Sequence, residues 1–436
     1  MKVLKFSGSS IDSASKVKEI IHLINDGKKK IVVFSAFSGM TKTLSEISDY
    51  LYKKNPDGAS ETTNQFEQKY QLLIGELYST DTYKEEAKEL LSIHLNSIRE
   101  YTKDLFTLFE EKIILAQGEL ISSSLIYLLF KELGLNVALI PALDFMRTDK
   151  NSEPDPTYLK EKLNKQLEVF PDATIYITQS YICRNAYGEI DKFEKGGSDL
   201  SASLIGAAIQ AEEIQLWTNF DGMQNIDPRY VEHTSPISQL QFEEAAELAY
   251  FGAKILHPTH ISPAKLNNIP VRLMSTLHPE ASGTLISNTM EKGKIKAVAA
   301  KDDIIAIKIK SGRMLLAHGF LRKLFEIFES YHTAIDMVVT SEVGVSVTID
   351  NEKHLPNILN DLKKYGTVTV DKGMTIVCVI GDLDWGNLGF ESKIISSLKD
   401  IPVRMISYGG SNYNISFLIK SEDKKRALQT LSDHLF

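Results

Sequence analysis

Residues 5–10 read KFSGSS: an apolar run ends in a lysine, and a small-residue loop and a helical pattern follow. Lys5 is a point charge at a strand end. The N–H groups and hydroxyls after it can form an anion-binding nest capped by a helix N-terminus. A plain turn is the competing reading, because turns also favour Ser and Gly. Three further loops pose the same choice. SAFSGMTKT (35–43) offers the hydroxyls of Ser35, Ser38 and Thr41 at another strand end, with a helix N-cap as the alternative. EKGGSDLSAS (194–203) joins two glycines, which permit close backbone approach, to Ser198 and Asp199 at a helix start. Asp199 there suits a helix cap, a partner for a substrate ammonium, or a group orienting a catalytic lysine. The fourth cluster is WTNFDGMQNIDPRY (217–230) followed by FGAKILHP (251–258). It holds a turn with a cation at its exit and, in Lys254, a second lysine near a helix end. Taken alone, Lys254 also fits a solvated surface lysine. His257 and His260 read as structural, since no third ligand keeps their spacing.

Together the clusters point to phosphoryl transfer without a covalent enzyme intermediate. That reaction needs cations against spreading negative charge and a means of positioning donor and acceptor. Lys5, Lys254 and the glycine loops supply these, and no nucleophile triad appears. The pattern GxxxxGK[ST] does not occur, so this is not a Walker-type phosphate loop.

The elements that must carry these loops alternate. Strand, loop and helix follow one another from Lys2 to Asn25, and KKIVVFSAFSGMTKTLSEISDYL repeats the theme with a strand at 31–35. NVALIPALDF is a strand with its exit loop, ATIYITQSYI another strand, and EIQLWTNFDG a strand ending in a turn. β-Branched runs alternating with helices predict a mainly parallel sheet covered on both faces, with ligands beyond the carboxyl ends of the strands. Residues 60–115 are polar and helically periodic and read as part of a helical insertion at about 44–117.

Near Gly283 the texture changes. Residues 304–372 read as strand, helix, strand, strand, helix, strand (βαββαβ), and a second pass starts at MTIVCVIGD (374–382) with helices at 387–399 and 423–434. That pass lacks one strand, and the expectation is that IKAVAAK (295–301) completes its sheet, so that the two small domains interleave. A repeat on this scale suggests paired ligand-sensing modules rather than a solenoid.

The bulk properties narrow the function classes. The 436 residues suggest two to three domains, and 43% hydrophobic and 24% charged residues are those of a globular protein. A net charge of −8 argues against general binding to nucleic acid or anionic membrane. Cys183 and Cys378 lie in separate apolar runs, which suits buried small hydrophobes and not a zinc site. The start of the chain has no signal-like apolar region, and no apolar run approaches the ~20 residues of a membrane span, so the cytoplasm is the expected location.

With these residues in place, the chain resembles the aspartokinases of the amino acid kinase superfamily. KFxGxS, SAxSGxT, QGELIS, MRTD, GGSD, WTxxDGxxxxDPR, FGAKILHP and IPVRLMST…PEASGTLIS occur in that family's order. MLLAHGFLRKLFEIFE…IDMVVTSEVGVSV is similar to the lysine-sensitive, single-function branch. The resemblance implies a three-layer αβα kinase domain at 1–292 and two interleaved ACT domains of βαββαβ type at 303–372 and 374–436. It implies ATP-dependent phosphorylation of the L-aspartate β-carboxylate to 4-phospho-L-aspartate with Mg²⁺, opening the route to lysine, threonine and methionine. Lysine would inhibit through the ACT domains, which would also pair two chains into a homodimer, with a tetramer as the larger alternative.

Carried over, Lys5, Asp199 and Lys254 are the catalytic positions, with Lys5 against the transferring phosphoryl. Ser35, Thr41, Glu119, Arg147, Gly197, Ser198 and Asp199 would hold aspartate. Lys5, Gly8, Ser9, Thr218, Asn219, Asp227, Arg229 and Lys254 would hold the nucleotide. Met314, Gly319, Phe320, Leu321, Asp336, Ser341, Glu342 and Val343 match the branch's lysine-binding positions. No metal ligand is implied among the side chains. The chain departs from the family pattern at several of these places. Ser7 and Ser9 stand for Gly and Thr, Lys42 for Asn, Lys195 for Arg, Leu200-Ser201 for Tyr-Thr, and Asn219 for Asp. A seryl Cβ at residue 7 is expected to crowd a backbone that glycine leaves free. The alternative reading is a catalytically weakened paralogue that mainly binds an amino acid through the ACT pair.

Overall fold

The computed structural model describes residues 1–101, 106–193, 197–252, 256–312, 314 and 318–436. Its contacts divide the chain into two compact units, one of residues 1–223 and 257–288, the other of residues 224–256 and 289–436.

In the first unit seven strands run side by side in the order Val137–Leu139, Ile175–Gln179, Lys30–Phe34, Lys2–Phe6, Ile214–Thr218, Val271–Ser275 and Thr284–Ser287. All the pairings among the first six are parallel, and only Thr284–Ser287 runs the other way. Helices cover the sheet, which is why Lys30–Phe34 is buried along its whole length and reads as a continuous apolar run rather than an alternating one. Lys2–Phe6 is central, in register with Lys30–Phe34 on one side (Lys5 opposite Val33) and Ile214–Thr218 on the other (Lys5 opposite Leu216). Three loops therefore leave the sheet side by side at its carboxyl edge. Beneath them Phe6 stacks on Phe34 at 5.6 Å and on Trp217 at 5.7 Å between ring centroids. These rings anchor the strand ends, so the loops start from fixed points.

Helices Met40–Tyr52, Pro56–Leu77, Asp81–Glu100 and Leu108–Glu132 span most of the segment from 40 to 132. Leu108–Glu132 is long and apolar enough to cross a membrane by length and composition, contrary to the reading from apolar runs alone. Most of that stretch is buried inside the fold; Ile114, Ile121, Leu125, Ile126 and Phe130 are fully enclosed. An α-helix that is apolar all round is, in this setting, a core helix.

The second unit holds a six-stranded sheet in the order Val338–Ser341, Gly344–Ile349, Ile295–Lys310, Thr367–Gly381, Asn414–Lys420 and Val403–Ser407, antiparallel throughout. Its two central strands are continuous over 16 and 15 residues, whereas the sequence pattern suggests four shorter ones. Residues 305–310 pair with Gly344–Ile349, and residues 295–301 pair with residues 376–381. A register shift between Lys301 and Ile304, with Asp303 at φ 60°, marks the junction of the two halves. One apolar core gathers Ile305, Ile307, Leu324, Phe328 and Ile358, and another gathers Val298, Val377, Phe417, Leu428 and Leu431. Each such side chain contributes roughly 1.5–3 kcal/mol by its burial.

The edge of this pairing tolerates no side chain at residue 381. A Cβ on Gly381 would sit 2.3 Å from the Lys294 carbonyl oxygen and 2.7 Å from Ile295 Cα. Gly381→Ala is expected to destabilise the second unit by about 1–3 kcal/mol. Differential scanning calorimetry checks this, and an unchanged transition would contradict the strand placement.

Candidate active site

The carboxyl-edge loops of the first unit surround a cavity of about 380 Å³. It is lined by Gly8 and Ser9 from the first loop, Ser35–Gly39 and Thr41 from the second, and Glu119, Tyr181 and Ser198. Each lining residue is placed by a local rule. Gly8 is needed because a Cβ there would lie 2.6 Å from the Ala36 carbonyl oxygen. Gly39 takes φ 81° to turn the chain into helix Met40–Tyr52, so that Thr41 stands in its first turn. Glu119 comes from helix Leu108–Glu132, which approaches the second loop closely. At Gly118 a Cβ would already be 3.3 Å from that of Ala36.

Lys5 lies at the base of this region, almost wholly buried, with its Nζ 2.7 Å from Asp199 Oδ1. Asp199 sits in the first turn of helix Gly197–Ile209. A buried ammonium is tolerated only with such a partner, and the pair fixes where the lysine points. Ser198 lines the cavity beside it, and Gly197 takes φ 50° at the helix start.

Ser7 is accommodated rather than crowded. Its φ of −73° and ψ of 158° are open to any residue, and its Oγ lies 2.9 Å from both Ser9 Oγ and Ser10 Oγ. Ser10 Oγ in turn donates to the Trp217 carbonyl oxygen at 3.3 Å. The expectation of steric conflict at residue 7 is therefore corrected: the hydroxyls bond to one another and tie the loop to the neighbouring strand.

Two residues at the site, the cavity-lining Tyr181 and the buried Ser180 beside it, carry signals that the sequence reading missed. Ser180 donates to Glu119 Oε2 at 3.2 Å and lies 3.3 Å from Ser35 Oγ, linking two site residues. Tyr181 takes φ 67°, a conformation that L residues seldom adopt, and its N–H donates to Ser201 Oγ at 2.9 Å. The rule that ligands gather past carboxyl strand ends covers both, since they directly follow Ile175–Gln179. The Ser201 bond also gives a local use to one of the departures from the family pattern.

Glu119 is electrostatically unusual. Burial pushes its carboxyl up to about 8, even though the Ala36 and Ser180 N–H groups, the Ser180 hydroxyl and the charge of Lys5 pull the other way. At neutral pH it is therefore largely protonated in the free protein. His260, half-buried on the short 3₁₀ helix Pro258–His260, is held below its ordinary value by burial, with Lys5 and His257 adding to the effect and Asp199 opposing it.

Other expected site residues lie elsewhere. Thr218 ends the strand next to Lys2–Phe6 and accepts from the Phe220 N–H at 3.1 Å; Asn219 is exposed. Arg147 is not among the cavity-lining residues: it pairs with Asp155, and its guanidinium lies 3.9 Å from the centre of the Tyr158 ring. Its Nε is buried without a partner among the described residues. Asp227 and Arg229 fall in the second unit and form a close fork, Arg229 Nε lying 3.0 Å from both Asp227 oxygens. Lys195 and Lys254 lie outside the described residues.

The expected lysine-binding positions are in the second unit. Leu321, Ser341, Glu342 and Val343 are exposed, and Gly319 and Phe320 start helix Phe320–Ser330. Met314 and Val343 both bond to Ser311 through the backbone. Asp336 is not open: its Oδ1 accepts from Lys301 Nζ at 2.6 Å and from Tyr250 Oη at 2.5 Å, while its Oδ2 is buried without a partner among the described residues.

A parallel sheet with small-residue loops and a buried lysine at its carboxyl edge fits a small-molecule kinase site, and the comparisons agree. Residues 1–275 match the amino acid kinase family, and residues 377–435 match an ACT domain. Aspartokinase 1, chloroplastic, of Arabidopsis thaliana is 31% identical, with all of this chain and 80% of that protein covered. Lysine-sensitive aspartokinase 3 of Escherichia coli is 29% identical, with all of this chain and 99% of that protein covered. Among solved structures, Escherichia coli aspartokinase III in complex with lysine and aspartate (T-state) superposes with a TM-score of 0.82 over all of this chain and 99% of that one, at 29% identity. The same enzyme with aspartate and ADP (R-state) gives 0.79, at 29% identity and with both chains fully covered. The chain belongs to the aspartokinases.

Because Glu119 binds its proton more tightly in the folded than in the unfolded chain, folding takes up a proton between about pH 4.5 and 8, and stability falls as pH rises through that window. Glu119→Gln removes the titration. Its melting temperature, measured without ligands, is expected to gain on the wild type progressively from pH 5 to 8. A difference that stays constant across the window would contradict the burial argument.

Proposed function

We propose that this chain is an aspartate kinase that transfers the γ-phosphoryl of ATP to the β-carboxylate of L-aspartate and is inhibited by lysine. The observation that carries the reading is the buried Lys5–Asp199 pair at the edge of a cavity lined by the GSS and SAFSG loops. In the reaction a β-carboxylate oxygen attacks the γ-phosphorus, the bond to the β-phosphate oxygen breaks, and ADP leaves with the electron pair. The product is the acyl phosphate 4-phospho-L-aspartate. The nucleophile is already an anion, so no general base is required. The obstacle is bringing a carboxylate up to a polyphosphate, and a fixed cation answers it. Lys5 is that cation, and Asp199 holds it in place.

Glu119 suits the substrate's ammonium. A protonated Glu119 adds no negative charge to the empty site, and an arriving ammonium supplies the counter-charge that favours its ionisation. Ser35, Thr41 and Ser198 offer hydroxyls on the same cavity wall. The nucleotide is assigned to Gly8, Ser9, Thr218, Asn219, Asp227, Arg229 and Lys254, and Arg147 to a substrate carboxylate. Among the described residues no group of three or more His, Cys, Asp or Glu could hold a metal ion. Mg²⁺ is assigned to the nucleotide phosphates. In the regulatory half, lysine is assigned to Met314, Gly319, Phe320, Leu321, Ser341, Glu342 and Val343 and to Asp336, which would exchange its Lys301 and Tyr250 partners for the ligand's ammonium.

Incubating the protein with ATP, Mg²⁺, aspartate and hydroxylamine is expected to yield aspartyl hydroxamate, and added lysine to suppress it. No hydroxamate would reject the kinase reading in favour of the amino-acid-binding paralogue. Hydroxamate formation indifferent to lysine would reject the assigned inhibitor alone.

A further inference from the structure

The DPRY turn, residues 227–230, is built into the second unit. Asn225 binds the Val298 N–H through its carbonyl oxygen at 2.7 Å, and its side chain accepts from the Ser235 N–H at 2.8 Å. Ile226 and Val231, on either side of the turn, are 1% and 2% exposed and belong to the apolar core shared with Leu428, Leu431 and Leu435 of the C-terminal helix Lys424–Leu435. The tip itself is open, with Arg229 exposed. Between the buried shoulders and the open tip lies Tyr230. The ammonium of Lys424, the first residue of that helix, stands 4.0 Å from the centre of its ring.

Lys424 is itself held. Its Nζ lies 2.6 Å from Asp302 Oδ2, and Asp302 Oδ1 accepts from Thr375 Oγ1 at 2.9 Å. Its side chain is only 10% exposed, so the cation faces the ring with little competition from water. Burial opposes its charge, but Asp302 and Tyr230 outweigh that and keep the ammonium above its ordinary value. Lys424 is therefore a cation at every working pH, fixed between an acid on the central strand and the aromatic face of the turn.

We infer that Lys424 is a positioning residue for nucleotide binding, acting through Tyr230 to set the Asp227–Arg229 turn. This rests on the reading above that Asp227 and Arg229 hold the nucleotide. It gives the C-terminal βαββαβ half a role besides ligand sensing: its last helix carries part of the nucleotide-binding apparatus.

Steady-state kinetics of the full-length protein separate the cases. Lys424→Gln is expected to raise the KM for ATP roughly tenfold, the size of one desolvated cation–π contact, with kcat and the KM for aspartate little changed. Lys424→Arg, which keeps the cation over the ring, is expected to restore the ATP value. Asp302→Asn, which frees Lys424 and also removes a charge that acts on Arg229, is expected to act in the same selective direction and carries the test if Lys424→Gln fails to fold. Arg229→Ala is the control on the underlying reading. If it raises the ATP KM while both Lys424→Gln and Asp302→Asn leave it unchanged, the positioning role is wrong and the nucleotide turn stands. If Arg229→Ala itself leaves the ATP KM unchanged, the nucleotide assignment falls, and the inference with it. A rise in both KM values together, or a loss of kcat with the fold intact, would also overturn it.

Discussion

A lysine is the costliest residue to leave at the buried end of a central strand, and Lys5 is nearly out of solvent. Its place is tenable because helix Gly197–Ile209 brings Asp199 to 2.7 Å. Removing one partner of such a pair typically costs about 3–5 kcal/mol, because the other charge is left buried alone. Much of the surrounding construction serves that geometry. Phe6, Phe34 and Trp217 stack beneath the strand ends, Gly8 lets the first loop pass over Ala36, and the Ser7, Ser9 and Ser10 hydroxyls tie that loop to the strand beyond. The chemistry then needs little more than position. A carboxylate nucleophile brings its own charge, and the protein's task is to keep a cation where two anions must meet.

The second unit is organised by a comparable use of paired charge. Lys301 reaches Asp336 and Asp350 from the point where the long strand Ile295–Lys310 shifts register, and Tyr250 reaches the same Asp336 from helix Phe242–Phe251. Lys424 and Asp302 form a second such group one residue along that strand, against Tyr230. Both groups join the regulatory sheet to the segment 224–256. That segment carries the DPRY turn, residues 227–230, and leads to FGAK.

The sheet and its loops were legible because their signals are local. β-Branched runs, small-residue loops and the helices between them follow from short windows, and so did the loop clusters holding Lys5, Ser35, Thr41 and Ser198, whereas the expectation for Glu119 rested on the family resemblance. Contacts distant in sequence were less accessible. Tyr250 and Asp336 are 86 residues apart, and no local pattern announces that Asp336 would already be bonded. Ser180 and Tyr181 read as part of the strand run ATIYITQSYI, which in the structure ends at Gln179, and Tyr181's left-handed backbone has no sequence signature, because the residue is not glycine or asparagine. The central strands of the second unit looked like two pairs because Asp302-Asp303 and Lys372-Gly373 interrupt their apolar pattern, yet the ladder runs through. Ser7 misled in the opposite direction. Its type suggested conflict with a glycine site, while its backbone adopts an ordinary extended conformation.

The central claim is that Lys5 neutralises the transferring phosphoryl group, and the turnover number of Lys5→Met tests it most directly. To avoid stranding a half-buried carboxylate, the substitution is best made with Asp199→Asn as well as alone, with folding checked by calorimetry. The account predicts that kcat falls roughly a hundred- to a thousandfold in both folded variants, the usual cost of losing one fixed charge-stabilising group. A folded Lys5→Met protein that turns over within about tenfold of the wild type would contradict it.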